Sequence, residues 1–268
     1  MGRRPGRLDP VQIGGSGQIR EWYEETTFGR AQAGDLPETD IPNWNAGYRP
    51  LPHRHLSHLV GLFPGTLITP GQEDVLAAAK VSLEQRGFAT TGWGKAHRLS
   101  LWARALDAEM AHLALTRLVG PPRGIAGIMD NLLAGHGQGD DHDEIPLMQV
   151  EANFGLTAGM AEMLLQSHLG RVRLLPALPE AWAEGRVSGL RARGNFEIDL
   201  LWEGGALVSA AIASGSGNDL TLSYPGIDGY ALSGSDGAVV APHQLGVEAA
   251  TYRTVAGGRY RLVRAAGS

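Results

Sequence analysis

Cysteine is absent from the 268 residues, which excludes disulfides and thiol chemistry and leaves the redox compartment undetermined. Lysine is scarce too: only Lys80 and Lys95 occur among 23 basic residues, so most cations are planar arginine hydrogen-bond donors. The formal net charge is −5, so the chain lacks the excess of positive charge that is typical of nucleic-acid-binding proteins. No apolar run approaches the roughly 18 residues needed to span a membrane. We therefore expect no nucleic-acid or membrane partner.

The start of the chain is basic but lacks the apolar stretch of a signal peptide, so the localisation stays open. The charge and composition fit a neutral or polar small-molecule substrate better than a macromolecular one. The length is sufficient for one large domain or two of ordinary size.

Up to residue 169 the sequence alternates amphipathic helical spacing with long loops rich in glycine and proline. Residues 72–87 have acids in the first turn, apolar residues three and four apart, and a terminal glycine, which predicts one helix. Residues 94–122 predict two short helices in tandem, with Asp107 capping the second. A further helix is predicted over residues 153–170. Long polar loops between helices are typical positions for functional residues.

After residue 170 the apolar period changes from about 3.6 to 2. In NFEIDLLW, residues 195–202, apolar side chains alternate with others, and Gly204-Gly205 can turn the chain into a second strand. Gly257-Gly258 can form a similar turn between the last two predicted strands. We predict an α+β multidomain chain, with a helical domain over residues 1–169 and an antiparallel β-sandwich-like domain over residues 170–268.

Three histidines fall within six residues in HRHLSHLVGLFPG, residues 53–65. His53, His55 and His58 could contribute to a metal site, although zinc needs further ligands and a suitable geometry. They could instead fill a turn before Pro64. The third interpretation is a ligand-binding edge, because Arg54 and His55 offer directional donors to hydroxyl groups.

Carboxylates are concentrated in two further places. DDHDE, residues 140–144, surrounds His142 with acids but lacks the spacing of a calcium-binding EF-hand loop, which favours a solvated acidic loop. Glu151 lies in the apolar run LMQVEANFG, where burial would favour proton transfer. The alternative for Glu151 is a structural acid at a helix start.

Tryptophans with polar neighbours suggest carbohydrate binding. Trp22, Trp44 and Trp93 stand in QIREWYEE, NWNAGY and TTGWGK. Sugar rings pack their C–H faces on indole, while their hydroxyls need polar partners such as arginine, asparagine and glutamate. A core position is the alternative for each of the three.

Several long motifs occur in an order that resembles the glycoside hydrolases of the family 95 α-L-fucosidase type. They are QIREW, HRHLSHLVGLFPG, GWGKAHRLSLWARALD, QVEANFGLTAGMAEMLLQSH, LLPALPEAW and GLRARGNFEIDLLW. The likeness runs from about Gln18 to Trp202. It implies part of an (α/α)6 helical barrel followed by a β-sandwich-like C-terminal domain.

The resemblance implies inverting hydrolysis of a terminal α-L-fucoside, or of a related α-L-galactoside, in an oligosaccharide, without a cofactor. One carboxylic acid protonates the leaving oxygen, and a base roughly 6.5–9.5 Å away activates water. Glu151 stands where the family motif Q-I-D-G-N-F-G has its base-side aspartate, and it reaches about one methylene further. The candidate substrate-binding residues implied by the motifs are Arg54, His55, His136, Asn153 and Trp93. His142 competes with His136 for its role.

The family's general acid lies in a Ser-Pro-Glu motif, and no Ser-Pro-Glu occurs in these 268 residues. We therefore expect a chain that lacks the acid and whose barrel is completed by a missing N-terminal portion or a second chain. An open barrel would expose apolar helix faces. The alternative is a non-catalytic carbohydrate-binding or structural remnant of such an enzyme.

Overall fold

The computed structural model describes residues 10–21, 25–27, 30–31, 54–88, 90–119 and 149–265. Four α-helices lie in these ranges: α1 Glu73–Arg86, α2 Gly92–Arg104, α3 Ala108–Val119 and α4 Val150–Leu164. The strands of the same ranges are β1 Glu25–Thr27, β2 Arg30–Ala31, β3 Leu165–Gln166, β4 Val172–Leu174, β5 Gly185–Ala192, β6 Phe196–Glu203, β7 Ala206–Ser214, β8 Leu220–Ser223, β9 Tyr230–Gly234, β10 Val239–Val240, β11 Gln244–Leu245, β12 Ala249–Tyr252 and β13 Arg259–Arg264.

The first three helices form where the sequence predicts them, and local signals explain their ends. Helix α1 stops at Gly87, whose φ of +53° is in the left-handed region that favours glycine. The Thr91 hydroxyl accepts the Gly94 N–H at 3.3 Å and caps α2. The Asp107 carboxylate accepts the Met110 N–H at 3.2 Å and caps α3, which confirms the predicted cap.

Helix α4 differs from its prediction, because it begins three residues earlier and ends at Leu164 rather than at Gly170. Leu165 and Gln166 leave the helix and pair with β4 as a short strand. The Gln166 side-chain amide donates to the carbonyls of Ala103 at 2.9 Å and Glu162 at 3.0 Å, which ties this strand to α2 and α4. Strand pairing therefore ends the helix before the glycine is reached.

The C-terminal part consists of two sheets that share one hydrophobic core. The six-stranded sheet has the order β10-β9-β13-β7-β6-β5, and the five-stranded sheet has the order β11-β12-β8-β4-β3. In β6 the predicted alternation is confirmed, since its apolar positions from Phe196 to Trp202 are buried and the intervening ones are not. All pairs within these two sheets are antiparallel except β4 with β8, which run parallel. The prediction of a wholly antiparallel sandwich is corrected at that pair.

The helices pack around a second core, and Trp182 links it to the β core. The Trp182 ring contacts His112 on α3 edge-on, with a centroid distance of 6.0 Å, and its carbonyl accepts the Trp202 indole N–H at 2.7 Å. The molecule is α+β, as predicted. The partial (α/α)6 barrel and the domain boundary after residue 169 stay predictions. No helix of the described residues is long and apolar enough to cross a membrane.

Helices α2 and α4 approach each other closely at glycines. A Cβ added to Gly159 would lie 2.5 Å from Cγ of Leu99, which is fully buried, and one added to Gly155 would lie 2.8 Å from Cβ of Ala96. Such distances are impossible without separating the helices. The spacing between α2 and α4 therefore depends on these two glycines.

We predict that Gly159→Leu lowers the free energy of unfolding by about 2 kcal/mol or more, because overpacking outweighs the helix propensity that leucine gains. Ala158→Leu is the matched control, since Ala158 is exposed on the same helix; its effect should stay within about 0.5 kcal/mol. Urea denaturation measures both. Equal stability of the two variants would contradict the close packing of α2 on α4.

Candidate active site

The loop at residues 54–58 precedes α1 and carries Arg54 and His55. Arg86, at the end of α1, is 1% exposed and donates from Nη1 to the His55 carbonyl at 2.7 Å. Its Nη2 pairs with the carboxylate of Glu21. The same carboxylate accepts the Ser57 hydroxyl at 2.6 Å. Two charged groups, one cationic and one anionic, thus fasten the loop to α1 and to the segment before β1.

Glu21 is held as an anion despite its burial. Its side chain is 4% exposed, and the His58 Nδ1 atom lies 3.7 Å from its Oε1. Burial alone would raise the pKa of this carboxyl, but His58, the Arg86 guanidinium and the Ser57 hydroxyl together outweigh it and lower the pKa to about 2. Glu21 is therefore a structural carboxylate, and His58 lies beside it in the loop.

Arg98 on α2 supports the loop from the other side. It has no exposed surface, and its guanidinium donates to the carbonyls of Arg54 at 3.3 Å, Gly87 at 2.6 Å and Gly94 at 3.0 Å. Burial, and next the charge of Arg86, lower its pKa to about 9. Both predicted sugar-contact residues thus have their backbone carbonyls bound by a buried guanidinium.

The ring of His55 packs against Trp93 in the first turn of α2. The ring centroids are 5.0 Å apart and the planes are inclined by 61°, an edge-on contact. Burial, and then the neighbouring Arg54, lower the pKa of His55 below its ordinary value. At neutral pH the imidazole is therefore neutral, with one nitrogen to donate and one to accept. Such a ring suits the hydroxyl groups of an uncharged sugar.

The starts of α2 and α4 are joined by Gln149, which is buried. Its Oε1 accepts the Trp93 backbone N–H at 3.1 Å. Glu151 follows two residues later, in the first turn of α4, and Asn153 lies half-buried in the same helix. Trp93 and the start of α4, which carries Glu151 and Asn153, are therefore at the same end of the α2–α4 pair.

Glu151 is exposed, so the predicted burial of its carboxylate in an apolar run is wrong. Helix α4 turns other positions inward, chiefly Ala152, Gly159 and Met163. Phe154, in the same turn, is itself 69% exposed. The apolar run LMQVEANFG thus does not bury this glutamate, and its structural position is the helix start.

The turn that closes HRHLSHLVGLFPG is fixed by Arg104 at the end of α2. Its guanidinium lies 5.2 Å from the Phe63 ring centroid and donates to Glu162 at 2.5 and 3.0 Å. The peptide bond between Phe63 and Pro64 is cis. His97 lies under the same turn, with Nε2 at 3.4 Å from the Phe63 carbonyl, and burial lowers its pKa.

The structure brings together three of the six predicted site residues, Arg54, His55 and Trp93, and places Glu151 and Asn153 on the adjoining helix. His136, with the DDHDE segment and its competitor His142, lies outside the described residues, as do His53, Trp22 and Trp44. Within the described ranges no group of three or more histidine, aspartate or glutamate side chains could hold a metal ion.

Family models cover almost the whole chain. Residues 3–164 match the glycosyl hydrolase family 95 catalytic domain, and residues 166–262 match the glycoside hydrolase family 95 C-terminal domain. The chain belongs to glycoside hydrolase family 95.

Relatives within this family carry fucosidase names. The chain is 35% identical over 233 residues to alpha-L-fucosidase 2 of Arabidopsis thaliana, which covers 84% of this chain and 24% of that protein. It is 31% identical over 235 residues to the probable alpha-fucosidase A of Aspergillus oryzae, covering 81% of this chain and 29% of that protein. The family 95 chain thus spans about a quarter of the length of these curated relatives.

Sequence reasoning missed the side chains that support the family 95 site: Glu21, Arg86, Arg98 and Gln149. A signal for two of them was present. Arg86 follows Leu83 by three residues on the apolar face of α1, and Arg98 precedes Trp102 by one turn on α2. A cation on an apolar helix face must find buried acceptors, because an unpaired buried charge is costly.

The low pKa of Glu21 predicts an acid-labile loop. Its folded pKa of about 2 lies below the ordinary value of 4.5, so its contribution to stability is present above pH 4.5 and is lost as the pH falls towards 2. A difference of this size corresponds to about 3 kcal/mol. Glu21→Gln should therefore reduce the loss of stability between pH 5 and 2, measured by urea denaturation across that range. Glu84→Gln, at an exposed position of α1, should show the same dependence of stability on pH as the wild type. An unchanged pH dependence in Glu21→Gln would show that Glu21 does not cause the loss of stability in acid.

Replacing Arg98 tests the support of the loop. Arg98→Met keeps most of the buried volume but leaves the Arg54 and Gly87 carbonyls without their donor, which costs about 1–3 kcal/mol each. We expect faster amide hydrogen exchange around residues 54–60 than in wild type. Arg117→Met, at an exposed position of α3, is the control, and its amide hydrogens at residues 54–60 should exchange at the wild-type rate. If Arg98→Met also exchanges like wild type, Arg98 does not hold this loop.

Proposed function

We propose that this chain is part of an inverting α-L-fucosidase that removes terminal α-L-fucosyl, or related α-L-galactosyl, residues from oligosaccharides. The observation that carries the proposal is the contact of His55, which follows Arg54, with Trp93 in a family 95 chain whose relatives are named α-fucosidases. We call these three residues the Arg54–His55 wall. The activity proposed is that of the whole protein, of which these residues form the sugar-binding part.

The wall supplies what a neutral deoxysugar needs. Arg54 offers a planar set of N–H donors, and the neutral His55 ring offers a donor and an acceptor to hydroxyl groups. Trp93 adds an apolar surface next to His55. The carbonyls of Arg54 and His55 are already bound by Arg98 and Arg86, so little order has to be gained when sugar binds.

Glu151 is the proposed residue of the base side. In inversion, the base takes a proton from water while the water oxygen attacks the anomeric carbon, and a carboxylic acid gives a proton to the leaving oxygen. Exposure in the first turn of α4 leaves the Glu151 carboxylate accessible to water, and Asn153 can help to orient that water. His136 is a further proposed sugar contact. The proton donor is proposed to come from outside these 268 residues, because no Ser-Pro-Glu occurs among them.

The alternative function is non-catalytic carbohydrate binding. Two observations favour it: the aspartate of the family motif is replaced by Glu151, and Glu151 is exposed rather than held in a buried site. Under this alternative the Arg54–His55 wall would still bind L-fucose, without hydrolysis.

Kinetics of the whole protein separate the two functions. With an α-L-fucoside as substrate, we expect Glu151→Gln to lower kcat by roughly 10²-fold or more with little change in KM, because only proton transfer is lost. Glu151→Asp restores the family residue and should retain activity. Glu84→Gln is the control and should behave like wild type. An unchanged kcat in Glu151→Gln would exclude the base-side role, and calorimetric binding of L-fucose without turnover would establish the alternative.

A further inference from the structure

A second cleft lies at one edge of the β domain, outside the Arg54–His55 wall. Its volume is about 230 Å³, and its walls include Ser167, Arg171, Arg193, Phe196, Asp219 and Thr221. This is smaller than the roughly 300–1,000 Å³ of sites for drug-sized ligands. The cleft therefore suits one small ligand of about the size of a single sugar ring.

The cleft is built where the two sheets meet. Strands β4 and β8 are parallel with Val172 beside Leu222, so Arg171 and Thr221 precede this pair on neighbouring strands. On the other side, the turn between β5 and β6 is tied down, because the Arg193 N–H donates to the Ser167 hydroxyl at 3.0 Å. The Asn218 amide donates to the Gly194 carbonyl at 3.1 Å. Hydrogen bonds thus hold the walls in place without a ligand.

Two arginines of the cleft, Arg171 and Arg193, form no ion pair with any of the described residues. Within the described residues, no ion pair or side-chain hydrogen bond engages the guanidinium of Arg171 or Arg193. The carboxylate on the wall, Asp219, has its Oδ2 at 3.7 Å from His243 Nε2. Guanidinium groups without carboxylate partners provide donors for an incoming oxyanion.

His168 follows the cleft wall residue Ser167 in the chain. Burial, and then the charges of arginines at 104, 193, 173 and 171, lower its pKa to about 4. Its Nδ1 is buried and accepts no hydrogen bond among the described residues. His168 thus stays neutral chiefly because it is buried, and the charges of the arginines around it add to that effect.

We propose that this cleft is a second carbohydrate-binding site, which binds a sugar bearing one oxyanion, either a carboxylate or a sulfate ester. The oxyanion is bound by Arg171 and Arg193, which offer planar N–H donors. Asp219 accepts hydrogen bonds from hydroxyl groups and repels a second negative charge. A ligand with one charge and several hydroxyls therefore fits better than a polyanion, and Phe196 gives the cleft an apolar floor.

Titration calorimetry of the whole chain at low ionic strength tests the proposal with three probes. D-Galacturonate and D-galactose 6-sulfate carry the two oxyanions, and D-galactose is the neutral control. Three variants are compared with wild type: Arg171→Gln, Arg193→Gln and the matched control Arg191→Gln. Arg191 lies two residues before Arg193, is exposed, and pairs with Glu197 at 2.7 Å.

We expect binding of one or both acidic sugars, weaker by roughly tenfold or more in Arg171→Gln and Arg193→Gln and changed less than about twofold in Arg191→Gln. Whichever acidic sugar binds identifies the oxyanion. The proposal is overturned if neither acidic sugar binds, if D-galactose binds as tightly, or if Arg191→Gln weakens binding as much as the other two. Binding of the acidic sugars does not depend on fucoside hydrolysis. The failure of one proposal would therefore not contradict the other.

Discussion

The candidate site depends on buried guanidinium groups that bind backbone carbonyls. Arg86 and Arg98 reach the loop at residues 54–58 from two different helices and bind the carbonyls of consecutive residues. A buried cation is costly unless it is paired or hydrogen-bonded, so these contacts restrain both the arginines and the loop. Glu21 balances part of the charge and adds a third attachment, through Ser57. The backbone positions of Arg54 and His55 are thereby fixed.

Close packing of α2 and α4 extends this arrangement. Arg98 and Trp93 lie on α2, and the first turn of α4 carries Glu151 and Asn153. Gly155 and Gly159 allow the two helices to approach at van der Waals distance, and Gln149 joins their first turns. A change in the helix spacing would therefore move the proposed base relative to the Arg54–His55 wall. Displacements on the order of 1 Å can cost about a hundredfold in rate.

Much of the fold could be predicted from the sequence, since the apolar periodicity locates α1 to α3 and, in β6, also reports which side chains are buried. The end of α4 could not, because the strand pairing of Leu165 and Gln166 with β4 is a tertiary contact that a glycine signal does not reveal. The parallel pairing of β4 with β8 could not be predicted for the same reason. At the site, the resemblance to family 95 implies Arg54 and His55 as sugar contacts, which stays a prediction. The exposure of Glu151 could not be predicted, because it depends on how α4 is rotated. The support from Arg86 and Arg98 depends on contacts between residues up to 65 positions apart.

The central claim is that the Arg54–His55 wall binds a terminal L-fucosyl group. A crystal structure of the whole protein with L-fucose bound tests it most directly. We predict sugar hydroxyls within about 2.7–3.2 Å of the Arg54 guanidinium or the His55 ring, with the sugar close to Trp93. Fucose bound elsewhere, with neither Arg54 nor His55 in contact with it, would contradict the claim.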